Sequence, residues 1–176
     1  MKAERLYIIQ FKGLKDGVHS FIYSVDSNFF SLIEDSMYKE GNISVELTLT
    51  KSVNMLILDF CLNGTISSVC DNCLEPIEVP VSNSEKFYIR FGDQFEELTE
   101  NSLIIPQSEN EIDISKILYD IIVTSLPMRH LHDYDENGLM GCNPEMIEKL
   151  REYSSEKIST NETDPRWEGL KKLIDK

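Results

Sequence analysis

Ile43-Ser-Val-Glu-Leu-Thr-Leu-Thr50 is an unbroken alternation of apolar and polar side chains. Successive side chains of a strand point to opposite faces of a sheet, so this period of two predicts a strand with one buried face. The run from Met55 to Leu62 is a second strand pattern, and the residues between the two runs (51–54) form a short link. Together the two runs predict an antiparallel hairpin.

Other strand patterns precede this hairpin. Residues 5–12 and Val18–Val25 are rich in β-branched and aromatic side chains, and they predict a hairpin of their own. Asp26 or Ser27 is a suitable cap for a short helix that ends near Ile33.

More strand patterns follow the central hairpin. Asn63-Gly64 predicts a turn before a return strand that ends at Val69. Ile77–Val81 and Glu85–Phe91 predict two further strands, and Pro80 suits a sheet edge because proline cannot donate a ladder hydrogen bond. The acidic residues 93–111 predict a mobile loop that contains, at most, a short strand at 103–105.

The second half of the chain carries helix patterns. Asp113–Leu126 repeats apolar residues at helical spacing, with Asp113 as the expected N-cap and Pro127 as the stop. Asn143-Pro144-Glu145 predicts the start of a helix that ends near Tyr153. Strands first and helices last indicate an α+β fold, with an antiparallel sheet or partly closed β-barrel from the N-terminal half.

The pattern also predicts the domain organisation. Residues 1–153 are expected to form one α+β domain, because the sequence shows no internal repeat and no second hydrophobic core. Residues 154–163 are a polar linker, and Asp164-Pro165 starts a short amphipathic helix. We expect this linker and helix (154–176) to pack on the domain or to extend from it.

Length and composition limit the class of protein. The chain has 176 residues, of which 41% are hydrophobic and 27% are charged, as in an ordinary globular domain. No apolar run reaches the roughly 20 residues that span a bilayer, and the first residues lead into a strand pattern and not into a signal peptide. We therefore expect a cytoplasmic protein without a membrane partner.

The charge of the chain indicates the kind of partner. The formal net charge is −14, and an acidic surface of this size repels nucleic-acid phosphates. Lysines and arginines are spread along the chain and are not interleaved with aromatics in the manner of an RNA-binding platform. The charge favours a basic protein partner over naked RNA, and direct RNA binding is the alternative.

Val69-Cys70-Asp-Asn-Cys73-Leu-Glu-Pro76 carries a Cys-x-x-Cys pair on a predicted turn. In a reducing compartment such a pair more often binds a metal or performs redox chemistry than forms a structural disulfide. As half of a tetrahedral zinc site it needs two more ligands, and the chain offers Cys142 with His130 or His132. The spacing of this second half is not that of a standard zinc finger, so unligated thiols are the alternative.

Other chemistries are less well supported by the residues. A thioredoxin-type pair has its first cysteine at a helix N-terminus, whereas Pro76 and the alternation after it predict a strand. The sequence contains no Gly-x-Ser-x-Gly, phosphate-binding loop or His-Glu-x-x-His motif, so we do not expect an enzyme. Cys61 lies within an apolar strand pattern and is expected to be a core thiol.

Arg166 and Trp167 are candidate partner-binding residues near the end of the chain. Exposed arginine and tryptophan are typical anchors of protein interfaces. The alternative is a capped helix whose tryptophan packs back onto the domain.

Three motifs in order resemble the YceD/DUF177 family of large ribosomal RNA subunit accumulation proteins. They are Cys70-Asp-Asn-Cys73-Leu-Glu-Pro76, the helix pattern that starts at Ile112-Asp113 and ends at Leu126-Pro127, and Asp164-Pro165-Arg166 with its following Leu-Lys-Lys-Leu. They cover roughly the last two thirds of the chain. Many members have a cysteine-rich second cluster after the Leu-Pro, where this chain has two histidines and Cys142.

The resemblance implies a site and a function. The chain resembles a variant in which one histidine and one cysteine replace the second cluster, and this similarity favours His132 over His130 as a ligand. The implied structural zinc site is Cys70, Cys73, His132 and Cys142. The implied function is accumulation or processing of 23S ribosomal RNA in ribosome assembly. We expect a non-enzymatic factor that binds a basic ribosomal protein or a pre-ribosomal large-subunit particle.

Overall fold

The computed structural model describes residues 6–133 and 141–153. Within these ranges the strands are β1 (Ile8–Ile9), β2 (Gly17–Val25), β3 (Gly41–Lys51), β4 (Met55–Val69), β5 (Pro76–Gly92), β6 (Glu96–Thr99), β7 (Ser102–Pro106) and β8 (Ile112–Asp113). The helices are α1 (Ser27–Leu32), α2 (Ser115–Ser125) and α3 (Pro144–Tyr153), with a 3-10 turn at Phe11–Gly13. None of the helices in this part of the chain is long and apolar enough to cross a membrane.

Six strands form one sheet in the order β2-β3-β4-β5-β7-β6. All neighbours are antiparallel except β5 and β7, which are parallel, so the sheet is mixed. The outer strands β2 and β6 each pair with a single neighbour among the described residues, which leaves the sheet open. The α+β prediction is confirmed, and the partly closed barrel is not formed.

One face of the sheet carries the main hydrophobic core. The alternation in β3 is confirmed, since Ile43, Val45, Leu47 and Leu49 are all at most 1% exposed. Helix α2 packs against β5 and buries Leu118, Ile121 and Ile122 in the same core. Burial of each such side chain stabilises the fold by roughly 1.5–3 kcal/mol. The apolar faces predicted for β3 and for α2 therefore contribute to the same core.

Side-chain caps confirm the predicted starts of α1 and α3, whereas the N-cap of α2 is Ile114 and not the predicted Asp113, which lies one residue earlier. The Asp26 carboxylate accepts the backbone N–H groups of Asn28 and Phe29 at the start of α1. Asp113 accepts the N–H of Ser115 at 2.8 Å, and Asn143 accepts that of Glu145 at 3.0 Å. These bonds satisfy donors that have no partner inside a helix, so polar residues before an apolar pattern mark its first turn.

The hairpin predicted between residues 5–12 and 18–25 is wrong. β1 pairs with β8, more than a hundred residues later, whereas β2 pairs with β3 along its whole length. The 3-10 turn at Phe11–Gly13 interrupts the first strand pattern. The Lys51 ammonium donates to the carbonyls of Phe11 and Leu14, so both carbonyls have a partner where the chain leaves this turn towards β2.

The turn predicted at Asn63-Gly64 is also wrong, because β4 is continuous from Met55 to Val69. Gly64 lies opposite Ile43 of β3. A Cβ atom on Gly64 would meet the carbonyl oxygen of Asn42 and would lie 2.6 Å from the Ile43 Cα. The glycine therefore permits a close approach of two strands and does not end one of them.

β5 is likewise one strand from Pro76 to Gly92, where two separate strands were expected. On one side β5 pairs with β4. On its other side it pairs with β7, and only over Tyr88–Gly92. Pro80 therefore lies on a part of β5 that has one paired side, as predicted for an edge proline.

Two further expectations need correction. Residues 93–111 contain the β6–β7 hairpin instead of a long loop, because Leu103 and Ile105 are buried in the core and β7 extends the sheet. Cys61 is exposed, since its neighbours Phe60 and Leu62 occupy the buried face of β4.

The close approach at Gly64 can be tested by substitution. We expect Gly64→Ala to lower the free energy of unfolding by ~2–4 kcal/mol, because the new methyl group would collide with backbone atoms that have no room to move. Gly13→Ala is the matched control, since nothing lies within 4 Å of a Cβ there. Urea unfolding monitored by circular dichroism measures both, and equal losses would contradict this role for Gly64.

Candidate metal centre

The turn between β4 and β5 presents two cysteines to one point. The ladder closes with Val69 opposite Pro76, so residues 70–75 form the tip of a long hairpin. The Cys70 N–H donates to the Glu75 carbonyl at 2.9 Å, and the Leu74 N–H donates to the Cys70 carbonyl at 2.8 Å. These two bonds tighten the turn around the Cys70 and Cys73 thiols, which are 0% and 5% exposed.

Leu74 has a left-handed backbone conformation, with φ of 61°. This region favours glycine or asparagine, and costs an ordinary L-residue roughly 1–2 kcal/mol. The Leu74 side chain is 67% exposed, so packing offsets little of this cost. Strain of this kind persists where the surrounding bonds determine the backbone, here the two bonds that close the cysteine turn.

The segment after α2 is held against this turn by reciprocal hydrogen bonds. The Asp71 N–H donates to the His130 carbonyl at 2.8 Å, and the His130 N–H donates to the Asp71 carboxylate at 2.7 Å. The Arg129 guanidinium donates to the Asn72 side-chain oxygen at 3.2 Å. This clamp positions the residues that follow, and His132 comes to the two thiols as a result.

Four soft ligands meet at the clamp. The ligand atoms of Cys70, Cys73, His132 and Cys142 all lie within 4.8 Å of one another. Sγ of Cys70 is 3.7 Å from Sγ of Cys142, and His132 Nδ1 lies 3.5 Å from Cys73 Sγ and 3.7 Å from Cys142 Sγ. Tetrahedral zinc with ordinary bond lengths requires about 3.8 Å between sulfurs and about 3.6 Å between sulfur and nitrogen. The donor set and these three distances therefore fit a tetrahedral zinc site.

The two histidines have different surroundings. Nδ1 of His130 is 2.8 Å from the hydroxyl of Ser68, and its ring lies beside that of Tyr38. His132 belongs to the four-residue cluster, whereas His130 holds the backbone clamp. The arrangement favours His132 as a ligand, and metal binding by either histidine stays a prediction.

The thiols differ in their acidity. Burial raises the pKa of Cys70, but hydrogen bonds from the backbone N–H groups of Cys73, Asn72 and His132 and from the His132 ring outweigh it and lower the pKa below the usual range. Burial raises the pKa of Cys142, and the neighbouring Cys70 and Cys73 sulfurs raise it further. Three sulfurs cannot all ionise at short range without a cation, which is the charge that a divalent metal supplies.

Helix α3 is attached to the domain through this cluster. The Gly141 N–H donates to the Asp133 carbonyl at 3.0 Å, and the Asn143 amide donates to the Glu75 carboxylate at 2.9 Å. Four partly buried apolar side chains surround the three cysteines: Ile77, Leu131, Met146 and Ile147. They form a small second cluster, separate from the main core, that spacing in the sequence did not reveal. The one signal in the sequence for this second cluster was the apolar pair Met146 and Ile147, which directly follows the predicted start of α3.

Other predicted site residues have different positions. Cys70 follows strand β4 and not the start of a helix, which removes the helix context of a thioredoxin-type pair. Arg166 and Trp167 lie outside the described residues, as do the predicted linker and C-terminal helix. Their role in partner binding stays a prediction.

Substitution at Leu74 tests the strain in the cysteine turn. We expect Leu74→Asn to raise the free energy of unfolding by up to ~1 kcal/mol, because asparagine tolerates the left-handed region and little packing is lost. Leu74→Val is the matched control and should lower it, since β-branched residues fit this region worst. Urea unfolding at one fixed metal concentration compares them. If valine were as stable as asparagine, the turn would not be strained.

Comparison with known proteins agrees with the motifs. Among curated proteins and among solved structures, no significant match was found. The family model described as large ribosomal RNA subunit accumulation protein YceD matches residues 58–174, which is more than half of the chain. The match begins in β4 and includes all four residues of the cysteine and histidine cluster. The chain therefore belongs to the YceD family of large ribosomal RNA subunit accumulation proteins.

Proposed function

We propose that this chain is a non-enzymatic factor for accumulation and processing of 23S ribosomal RNA during assembly of the large ribosomal subunit. The observation that carries the proposal is the family match over residues 58–174, together with the clustered ligands inside it. The family description supports a role in accumulation of large-subunit RNA, and the assembly step is our inference. Ribosome assembly would place the protein in the cytoplasm.

We further propose that Cys70, Cys73, His132 and Cys142 hold one zinc ion. Three thiolates and one imidazole form a closed set of four ligands, which is typical of structural zinc and leaves no open position for a reacting water. The bound ion would contribute folding free energy and no catalytic chemistry. The zinc site would therefore be a structural scaffold for a partner-binding surface.

The zinc would act as a clip between distant parts of the chain. Helix α3 buries no side chain of its own, and the satellite cluster contains only four partly exposed apolar residues beside the cysteines. So small an apolar contact cannot by itself offset the entropy of ordering ten helical residues. A metal that joins the β4–β5 turn to His132 and Cys142 supplies the missing stabilisation.

The partner is proposed to be a basic ribosomal protein or the pre-ribosomal particle that contains one. A net charge of −14 attracts lysine- and arginine-rich proteins and repels free RNA. Direct RNA binding is the alternative, and it requires an affinity for 23S fragments that falls steeply with salt.

The ligand set predicts the metal content of variants. Protein purified without added metal should contain about one zinc per chain by elemental analysis, and Cys70→Ser or His132→Ala should lose most of it because three ligands bind zinc weakly. Cys61→Ser and His130→Ala are the matched controls and should retain zinc. Equal zinc content in His132→Ala and in the unsubstituted protein would contradict the assignment.

The clip predicts a local response to chelation. Removing zinc should release residues 129–133 and 141–153 while the β3–β4 pairing stays intact, because the main core does not depend on the cluster. Hydrogen exchange followed by mass spectrometry should show faster exchange in these segments and unchanged exchange in β3. Uniform protection after chelation would contradict a structural clip.

The proposed function predicts an RNA phenotype. Loss of the chain from its own cells should lower mature 23S RNA relative to the small-subunit RNA, which serves as the internal control in the same sample. Gel or sequencing measurement of the two RNAs checks this. An unchanged ratio would contradict a role in large-subunit RNA accumulation.

A further inference from the structure

A groove lies between helix α2 and the β6–β7 hairpin. It has a volume of about 1080 Å³ and is lined by the strands β5, β6, β7 and β8, by α2 and by the connection from β7 to β8. Small-molecule pockets usually have about 300–1,000 Å³, so the groove is at the upper limit for a small ligand and suits a segment of a polypeptide. It is distinct from the cysteine cluster, whose residues do not line it.

The floor of the groove is the least well covered part of the main core. Five buried core side chains are 5–8% exposed, whereas the other members are at most 4% exposed. All five line the groove: Phe87, Leu103, Ile105, Ile112 and Ile121. Phe95 and Leu98 add exposed apolar surface at the hairpin, at 63% and 41% exposure. The core therefore opens to solvent at this one place among the described residues.

The rim of the groove is strongly acidic. Seven carboxylates and a single lysine, Lys116, line it. Glu97 and Glu100 lie on the hairpin, and Glu109 and Asp120 lie on the opposite side. Within the described part of the chain, none of these carboxylates forms an ion pair, since the one recorded is Lys86 with Asp59 on the strands β5 and β4. The rim thus carries a large excess of negative charge, because Lys116 is the single cation among the lining residues that the structure describes.

We infer that this groove binds a lysine- or arginine-rich amphipathic segment of a partner protein. An apolar floor accepts the apolar face of such a segment, and the acidic rim pairs with its cationic face, as in helix-in-groove recognition. That the partner is a ribosomal protein rests on the proposed function. The groove itself specifies only the chemistry of the segment that binds it. RNA does not fit the groove, because phosphates would face seven carboxylates.

Binding of a model peptide to the full chain tests the inference. The probe is a fluorescent peptide of about 14 residues with leucine at positions i, i+3, i+4 and i+7 and lysine elsewhere, titrated in about 0.15 M salt so that distant charges are screened. A scrambled peptide of the same composition should bind at least roughly tenfold more weakly, which corresponds to about 1.4 kcal/mol. Equal binding of the two peptides would overturn the inference in favour of general attraction to an acidic surface.

Matched variants locate the binding surface. The double variant Glu97→Lys, Asp120→Lys should weaken peptide binding roughly tenfold or more. The control is the double variant Glu96→Lys, Glu148→Lys, which changes the net charge by the same amount at residues outside the groove. It should change peptide binding by less than about twofold. Phe95→Ser should also weaken binding, with Val53→Ser as its control, since Val53 is an exposed apolar residue outside the groove. Circular dichroism establishes that each variant folds. Equal losses in groove and control variants would overturn the inference.

Two results would identify a different occupant of the groove, and two others separate the groove inference from the proposed function. A peptide that binds only after removal of residues 154–176 would identify the chain's own C-terminal segment as the occupant, and competition by a 23S fragment would identify RNA; either result overturns the inference.

If loss of the chain lowers 23S RNA but the Glu97→Lys, Asp120→Lys variant restores it fully, the groove inference fails and the proposed function stands. If loss of the chain leaves 23S RNA unchanged, the proposed function fails independently of peptide binding.

Discussion

The continuous antiparallel pairing of β4 with β5 is the constraint on which the rest of the structure depends. Fifteen consecutive residue pairs, from Met55 with Arg90 to Val69 with Pro76, hold the two strands in one register. One end of this ladder is the cysteine turn, and the other end supports the parallel strand β7 and the acidic groove. The proposed metal clip therefore lies at one end of this ladder, and the proposed docking groove borders the half of β5 that is away from it, from Asn83 to Phe87.

This arrangement separates two kinds of stability. The sheet face covered by α2 buries large aliphatic side chains almost completely, so the main core does not depend on a ligand. The cysteine cluster has few apolar neighbours and several hydrogen bonds to the backbone clamp, so its stability depends on what the thiols bind. A metal at this end of the ladder would couple α3 to the sheet without any change in the core.

Local signals in the sequence predicted local structure well. The alternation of β3 and the caps of α1 and α3 were recognised because each depends on neighbours within a few residues. The β1–β8 pair was missed because its partners are more than a hundred residues apart. Gly64 was misread because glycine signals both a turn and a close approach of strands, and only the Asn42 and Ile43 backbone distinguishes them.

The candidate site shows the same division. Residue chemistry by itself determined that Cys70, Cys73 and Cys142 with one histidine are the soft ligands that zinc prefers. The family resemblance favoured His132, and the tertiary structure shows what positions it: the Asp71–His130 hydrogen bonds hold His130 in the clamp, and His132 lies beside the thiols. The groove was likewise a tertiary result, because its apolar floor and acidic rim come from α2 and four strands. Contacts between distant segments depend on register and packing, which the spacing of residues along the chain does not encode.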